Sequence, residues 1–114
     1  MEKEALGVKG LIKRNDMFLV LIKPNGESDL PGGRVEDGEG FEDSLYREIL
    51  EETALEVEIL GPVSTWEFVK STGMQVKGVT YNCRYVRGNV ILSHEHSDYF
   101  WTNQEKVTQY LDQP

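Results

Sequence analysis

GGRVEDGEGFEDSLYREILEETAL, residues 32 to 55, carries eight carboxylates and two arginines. From Phe41 to about Thr53 the apolar residues Phe41, Leu45 and Ile49 recur at steps of four, flanked by Tyr46 and Leu50, which is the period of a helix with one buried face. Glu42 and Asp43 suit the positive end of that helix, and Gly40 serves as its N-cap. The other face holds Glu48, Glu51 and Glu52, spaced by three and four, so their carboxylates stand side by side. No lysine relieves them four residues on, because those positions are Glu52, Leu55 and Glu56.

Outward from this helix the chain reads as strands. EALGVKGLIKR alternates Leu6, Val8 and Ile12 with small or polar neighbours, and Asn15–Asp16 separates it from MFLVLIK, which predicts a hairpin. The second strand is apolar from Met17 to Ile22, so it is expected to be central and covered on both faces. PNGESDLPGG reads as loop. After the helix, EVEIL, VSTWEFVK, MQVKGVTYNCRYVRG, VIL and DYFWT read as further strands, and NQEKVTQYL as a short closing helix capped by Asn103. Pro24, Pro31, Pro62 and Pro114 all fall between periodic segments. This order predicts an α/β (α+β) fold, a mixed β-sheet with a helix on each face, in a single domain spanning residues 1–114.

A formal net charge of -8 argues against stable nucleic-acid binding, which needs basic groups to neutralise phosphates. An acidic protein can still hold phosphate through a metal ion. No apolar run is long enough to span a membrane and no signal segment is visible, so the expected setting is cytoplasmic. Cys83 is the single cysteine and reads as a small buried thiol on a strand face shared with Val79, Tyr81 and Tyr85.

Like charges at helical spacing destabilise a helix by about 0.2–0.5 kcal/mol per pair. A solvated acidic face is one explanation for such a cluster. The other is a site for a hard divalent cation, Mg2+ or Mn2+, which takes oxygen ligands of this kind.

Spacing separates the two. Gly33 is followed after five residues by Glu39, and after seven more by Arg47-Glu48-Ile49-Leu50-Glu51-Glu52-Thr53-Ala54-Leu55. This resembles the Nudix box, G-x5-E-x7-R-E-U-x-E-E-x-G-U with U aliphatic, at every fixed position except Ala54, where the family has glycine. LPGG ahead of the box and the aromatic YFW late in the chain are also similar to the family. A solvated face alone would not explain Gly33, Glu39 and Arg47 at that spacing.

The resemblance implies a Nudix (MutT-like) hydrolase with an α/β/α sandwich and an Mg2+ (or Mn2+) cofactor. It implies Glu51 and Glu52 as principal metal ligands, Glu48 as ligand or water-activating base, and the Gly33 carbonyl as a further ligand. Glu39 and Arg47 become a supporting pair, the guanidinium gripping carboxylates in a fork. Glu95, in SHEHSDYFW, matches a loop where many relatives carry a glutamate that binds metal or acts as base. The implied reaction is water attack on phosphorus of a nucleoside diphosphate linked to another moiety, as in a nucleoside triphosphate, nucleotide sugar or dinucleotide. Dimers are common in the family, so a homodimer is among the implied assemblies.

Arg34 follows the glycine pair and suits a substrate phosphate, or equally an ion pair with Glu36. Lys23 and Arg14 are weaker versions of that idea. His94 and His96 flank Glu95 but form no zinc set without further ligands, and read as loop histidines. Trp66, Phe68, Tyr81 and Tyr85 are candidates for stacking a base, against the simpler reading of sheet aromatics. Alanine at position 54 either remodels the helix ending or strains it. The competing functional reading is a catalytically silent Nudix-fold module that senses a nucleotide; an isoprenoid diphosphate isomerase and an RNA-decapping enzyme fit the short acidic chain less well.

Overall fold

The computed structural model describes residues 4–111. Strands β1 (Glu4–Arg14) and β2 (Met17–Ile22) form the expected hairpin through Asn15 and Asp16, whose φ angles of 51° and 63° match the two-residue turn that follows strand twist. The hairpin pairing is short, Lys13↔Phe18 and Arg14↔Met17. Farther along β1 the place beside it is taken by β4 (Gly32–Arg34), with Val8 opposite Gly33. The LPGG segment therefore lies against the sheet instead of looping free, and this is what sets the start of the acidic helix.

On its other side β1 runs parallel to β6 (Gln75–Arg87), from Glu4↔Gln75 to Lys13↔Arg84, and β5 (Glu56–Val69) lies antiparallel outside β6. Two short strands, β3 (Ser28–Asp29) and β7 (Asp98–Thr102), pair antiparallel with β2. The sheet is mixed, in the order β3-β2-β1-β6-β5.

Alternation along the strands sends apolar side chains to both faces. Val8, Ile12, Leu19 and Leu21 pack with Leu45 and Ile49 of helix α1 (Phe41–Thr53). Leu11, Phe18, Val20 and Leu30 pack with Val107 of α2 (Gln104–Val107) on the other side. A helix on each face of a mixed sheet is the arrangement expected from the sequence, and β2 is apolar throughout because both its faces are covered. Among the described residues no helix is long and apolar enough to cross a membrane.

Three readings of the strands need correction. EVEIL and VSTWEFVK are one strand, β5, whose register shifts between Ile59 and Gly61 and again between Pro62 and Ser64. Pro62 therefore lies inside a strand; it is tolerated because β5 is at the sheet edge and irregular there. Residues 90–92 form no strand, the Ile91 N–H going instead to the Thr53 carbonyl at 2.9 Å. The closing helix is a single turn capped by Asn103, which accepts from the Lys106 N–H, followed by a 3-10 turn at Thr108–Tyr110.

Helix α1 ends on Ala54 in the left-handed conformation, φ 63° and ψ 12°, with its N–H donating to Leu50 O at 2.9 Å. The family's glycine-type ending is thus kept without glycine, and the strain is borne. Ala54→Gly should stabilise the fold by about 1 kcal/mol, the left-handed penalty less the added backbone entropy of glycine. Thermal unfolding should show a midpoint higher by a few °C; a lower midpoint would mean that Ala54 contributes packing that outweighs its backbone strain.

Candidate active site

Glu52 is the most deeply placed acid of the helix, 4% exposed, and its Oε1 accepts the Gly32 N–H at 2.9 Å. Burial pushes its carboxyl pKa up to about 8; the Gly32 N–H opposes this, while the charges of Glu48, Glu95 and Asp29 add to it. Glu48 is also raised, first by burial, with Arg47 opposing and Glu51 and Glu95 adding.

Beside it, Gly33 lies directly against the Glu48 carboxyl, which a side chain at 33 would displace. A Cβ there would lie 2.4 Å from the Glu48 carboxyl carbon. Gly32 is the more tightly constrained, since a Cβ would meet the Val8 carbonyl oxygen, part of the backbone, at 2.0 Å. The β4 backbone and the acidic face of α1 are thus in direct contact.

Arg47 ties the loop before the helix to the helix itself. Its Nε and Nη2 donate to the two carboxylate oxygens of Glu39 at 2.7 and 2.9 Å, a fork of the kind guanidinium favours. Nη1 donates to Glu48 at 2.9 Å and to Glu51 at 3.4 Å, and Nη2 reaches the Arg34 carbonyl at 3.3 Å. The hydrogen bond from Arg47, helped by the Glu36 N–H, holds the Glu39 carboxyl at about 2, far below the usual carboxylate range. The same contacts raise the Arg47 pKa further, so the guanidinium stays charged.

Glu95 sits on an exposed loop, near enough for its charge to act on both Glu48 and Glu52. Glu51 is at the solvent edge, its side chain 58% exposed. The structure therefore groups Gly33, Glu48, Glu52 and Glu95, with Glu51 joined to them through Arg47. Among the described residues no three acidic, histidine or cysteine side chains are already drawn into a cation cage. The donor chemistry nonetheless fits a hard dication: every donor is oxygen, and the acids raise one another's pKa in a way that a positive charge between them would reverse.

A cavity of about 390 Å³ opens on the far side of Gly32 and Gly33. Trp66 and Phe68 line it with rings stacked at 6.2 Å, and Lys9, Lys23, Arg34 and Lys70 add positive charge to its walls. Trp66 lies across Gly7 and Gly78, where a Cβ would come within 3.0 and 2.1 Å of the indole. Its Nε1 donates to Thr80 Oγ1 at 3.1 Å. Arg34 also borders a second cleft that contains Glu36, whose carboxylate lies 3.8 Å from the Arg47 guanidinium. Tyr81 and Tyr85 pack with α1 on the opposite face, and Arg14 lies over the Tyr85 ring, away from the cavity. Cys83 is buried, its thiol pushed up to about 12 by desolvation, as an inert core thiol should be.

Sequence reasoning missed three residues here. Lys9 is 7% exposed, paired with Asp29 and 5.4 Å from the Trp66 ring centre. A lysine in phase with the inward residues Ala5, Gly7 and Leu11 was the available signal. Asp29 gave none, lying in what read as loop. His96, read as a loop histidine, is buried against Glu52, whereas His94 is exposed.

The NUDIX domain profile matches residues 4–114. The chain is 28% identical over 109 residues to a MutT-like protein of Streptomyces ambofaciens, covering 94% of this chain and 69% of that one. It is 28% identical over 96 residues to the nucleoside triphosphatase NudI of Escherichia fergusonii, covering 75% of this chain and 67% of that one. The crystal structure of a MutT protein from Methanosarcina mazei Go1 has a TM-score of 0.84 at 28% identity, covering 96% of this chain and 86% of that one. A glycine loop packed on an acidic helix, set in this fold and matched along the described chain, makes the protein a member of the Nudix family and a pyrophosphohydrolase.

Proposed function

We propose that the protein hydrolyses a nucleoside diphosphate linked to a further group, in a reaction that depends on Mg2+ or Mn2+. The observation that carries this is the shared wall: Gly32 and Gly33 border the aromatic cavity and also touch Glu52 and Glu48. A nucleoside held by Trp66 and Phe68 would run its diphosphate alongside Gly32 and Gly33 to the carboxylates that these glycines touch. Trp66 and Phe68 suit a base of any kind, since stacking is tolerant of sequence. Arg34 adds positive charge near the phosphates, while Lys9 and Lys23 are paired with Asp29 at the same wall.

In this reading the dication is held by Glu48, Glu51, Glu52, Glu95 and the Gly33 carbonyl. When bound, it supplies charge neutralisation for the diphosphate and makes water more acidic. Glu48 or Glu95 takes the proton from the attacking water, and Glu52, anchored on Gly32 N–H, fixes the site relative to β4. Glu39 and Arg47 are positioning residues, keeping Glu48 and the 34–39 loop in register. A nucleoside triphosphatase among the relatives makes nucleoside triphosphates the first substrates to try. The setting proposed for the reaction is the cytoplasm.

The test is a panel of nucleoside triphosphates, nucleotide sugars and dinucleoside polyphosphates, each with Mg2+, Mn2+ or EDTA, with both products measured. Metal-dependent release of two phosphate-bearing products is expected. Tight nucleotide binding without turnover in either metal would instead favour a silent sensing module.

A further inference from the structure

His96 sits in the loop between the core and β7, and that loop is pinned. Ile91 N–H donates to Thr53 O at 2.9 Å, Ser93 N–H to Glu52 O at 3.4 Å, His96 N–H to Ser93 O at 3.3 Å, and Ser97 N–H to Ile22 O at 2.8 Å. The imidazole is consequently held against the end of α1 and cannot swing to water without undoing these bonds. Its side chain is 6% exposed and that of Glu52 5%, with Nδ1 4.0 Å from Glu52 Oε2.

Among the described residues, His96 Nδ1 is the buried side-chain nitrogen or oxygen left without a hydrogen-bond partner. Buried polar atoms are nearly always paired, and one that is not needs a reason. A leucine would plug the space as well and leave no dry nitrogen. The placement makes sense if Nδ1 has a partner at hand, and Glu52 is the acid it faces.

We propose that His96 is a positioning residue for Glu52: a neutral imidazole, carrying its proton on Nδ1, that closes the short remaining gap and donates to Oε2. Glu52 would then be held from two sides, by the Gly32 N–H on Oε1 and by the imidazole on Oε2. The same contact would hold the loop that carries Glu95 against the other acids. The link to metal binding rests on the reading of Glu52 under Proposed function; the contact itself does not.

Two measurements decide it. The chain has two histidines, so long-range 1H–15N NMR of the metal-free protein can read each ring separately. His96 should carry its hydrogen on Nδ1, and Glu52→Gln should shift that nitrogen while Glu51→Gln does not. In parallel, Mn2+ affinity is measured by electron paramagnetic resonance for the parent, His96→Asn and His96→Leu, with circular dichroism to check folding. Leucine should weaken Mn2+ binding by about 10-fold or more, the usual effect of losing an outer partner of a ligand. Asparagine, which places an N–H near the Nδ1 position, should restore most of it.

A proton on Nε2, a ring indifferent to Glu52→Gln, or equal weakening by leucine and asparagine would overturn the proposal. If the leucine variant does not fold, the ring measurement on the parent still decides. A parent that binds no Mn2+ would defeat the metal reading of the carboxylates, while the NMR result would still stand for or against the contact.

Discussion

Glu52→Gln should lower turnover by about 10²–10³-fold, the range for removing one preorganised group that stabilises charge at the reacting centre, and leave the fold intact. The substitution is nearly isosteric, and the amide oxygen can still accept the Gly32 N–H that now reaches Oε1 at 2.9 Å. What it removes is the charge. The carboxyl able to carry that charge sits in a buried position, beside Glu48 and within the field of Glu95, where nothing about folding calls for it. An acid kept there against its own desolvation is best explained by a cation and a phosphate. The same exchange at Glu51, more than half exposed and joined to the group through Arg47, should do less. Steady-state rates with the best substrate of the panel, beside circular dichroism of each variant, test this. Equal rates for Glu52→Gln and parent would count heavily against the site.

The acidic helix was legible in sequence because its two faces carry opposite messages: Leu45 and Ile49 give the period, and Glu48, Glu51 and Glu52 a cluster that helix formation alone would avoid. The Glu39–Arg47 fork was legible only through the family spacing, since nothing local says that an arginine will turn back to a residue eight positions earlier. Periodicity failed at β5, where Gly61 and Pro62 carry turn chemistry but lie in an irregular edge strand that absorbs them. It failed again at Asp29 and His96, which reach Glu52 from chain positions far on either side. Their proximity is set by β2, which pairs with β3 through Leu21↔Asp29 and with β7 through Ile22↔Asp98. Such convergence is a property of sheet order, and a single sequence encodes it in no local pattern.

The metal-free protein should lose stability as pH rises from about 6.5 to about 8, the reverse of an ordinary carboxylate-rich protein. Glu52 has a folded-state pKa near 8 against an ordinary value of 4.5, so over this range the folded chain keeps a proton that the unfolded chain has released. The stabilisation is complete below the ordinary value and disappears as pH passes the folded one. For one retained proton the slope is about 1.4 kcal/mol per pH unit. Glu48 is shifted in the same direction, first by burial. His96 acts oppositely, since its lowered pKa makes stability rise with pH, but only up to its ordinary value of 6.5. Glu39 is depressed to about 2 and matters only in acid, while Cys83 and Tyr81, both raised, matter only above their ordinary values of 9.0 and 10.0. The window from 6.5 to 8 therefore belongs to the Glu52 site. Urea unfolding in EDTA at several pH values should show the fall, and Glu52→Gln should flatten it. Saturating Mn2+ should abolish it, because the cation-bound carboxylate has already shed its proton, as the unfolded chain's has over this range, while the bound cation raises stability throughout. If stability in EDTA rose or stayed level across this window, Glu52 would not be the desolvated acid that the Gly32 contact and its burial describe.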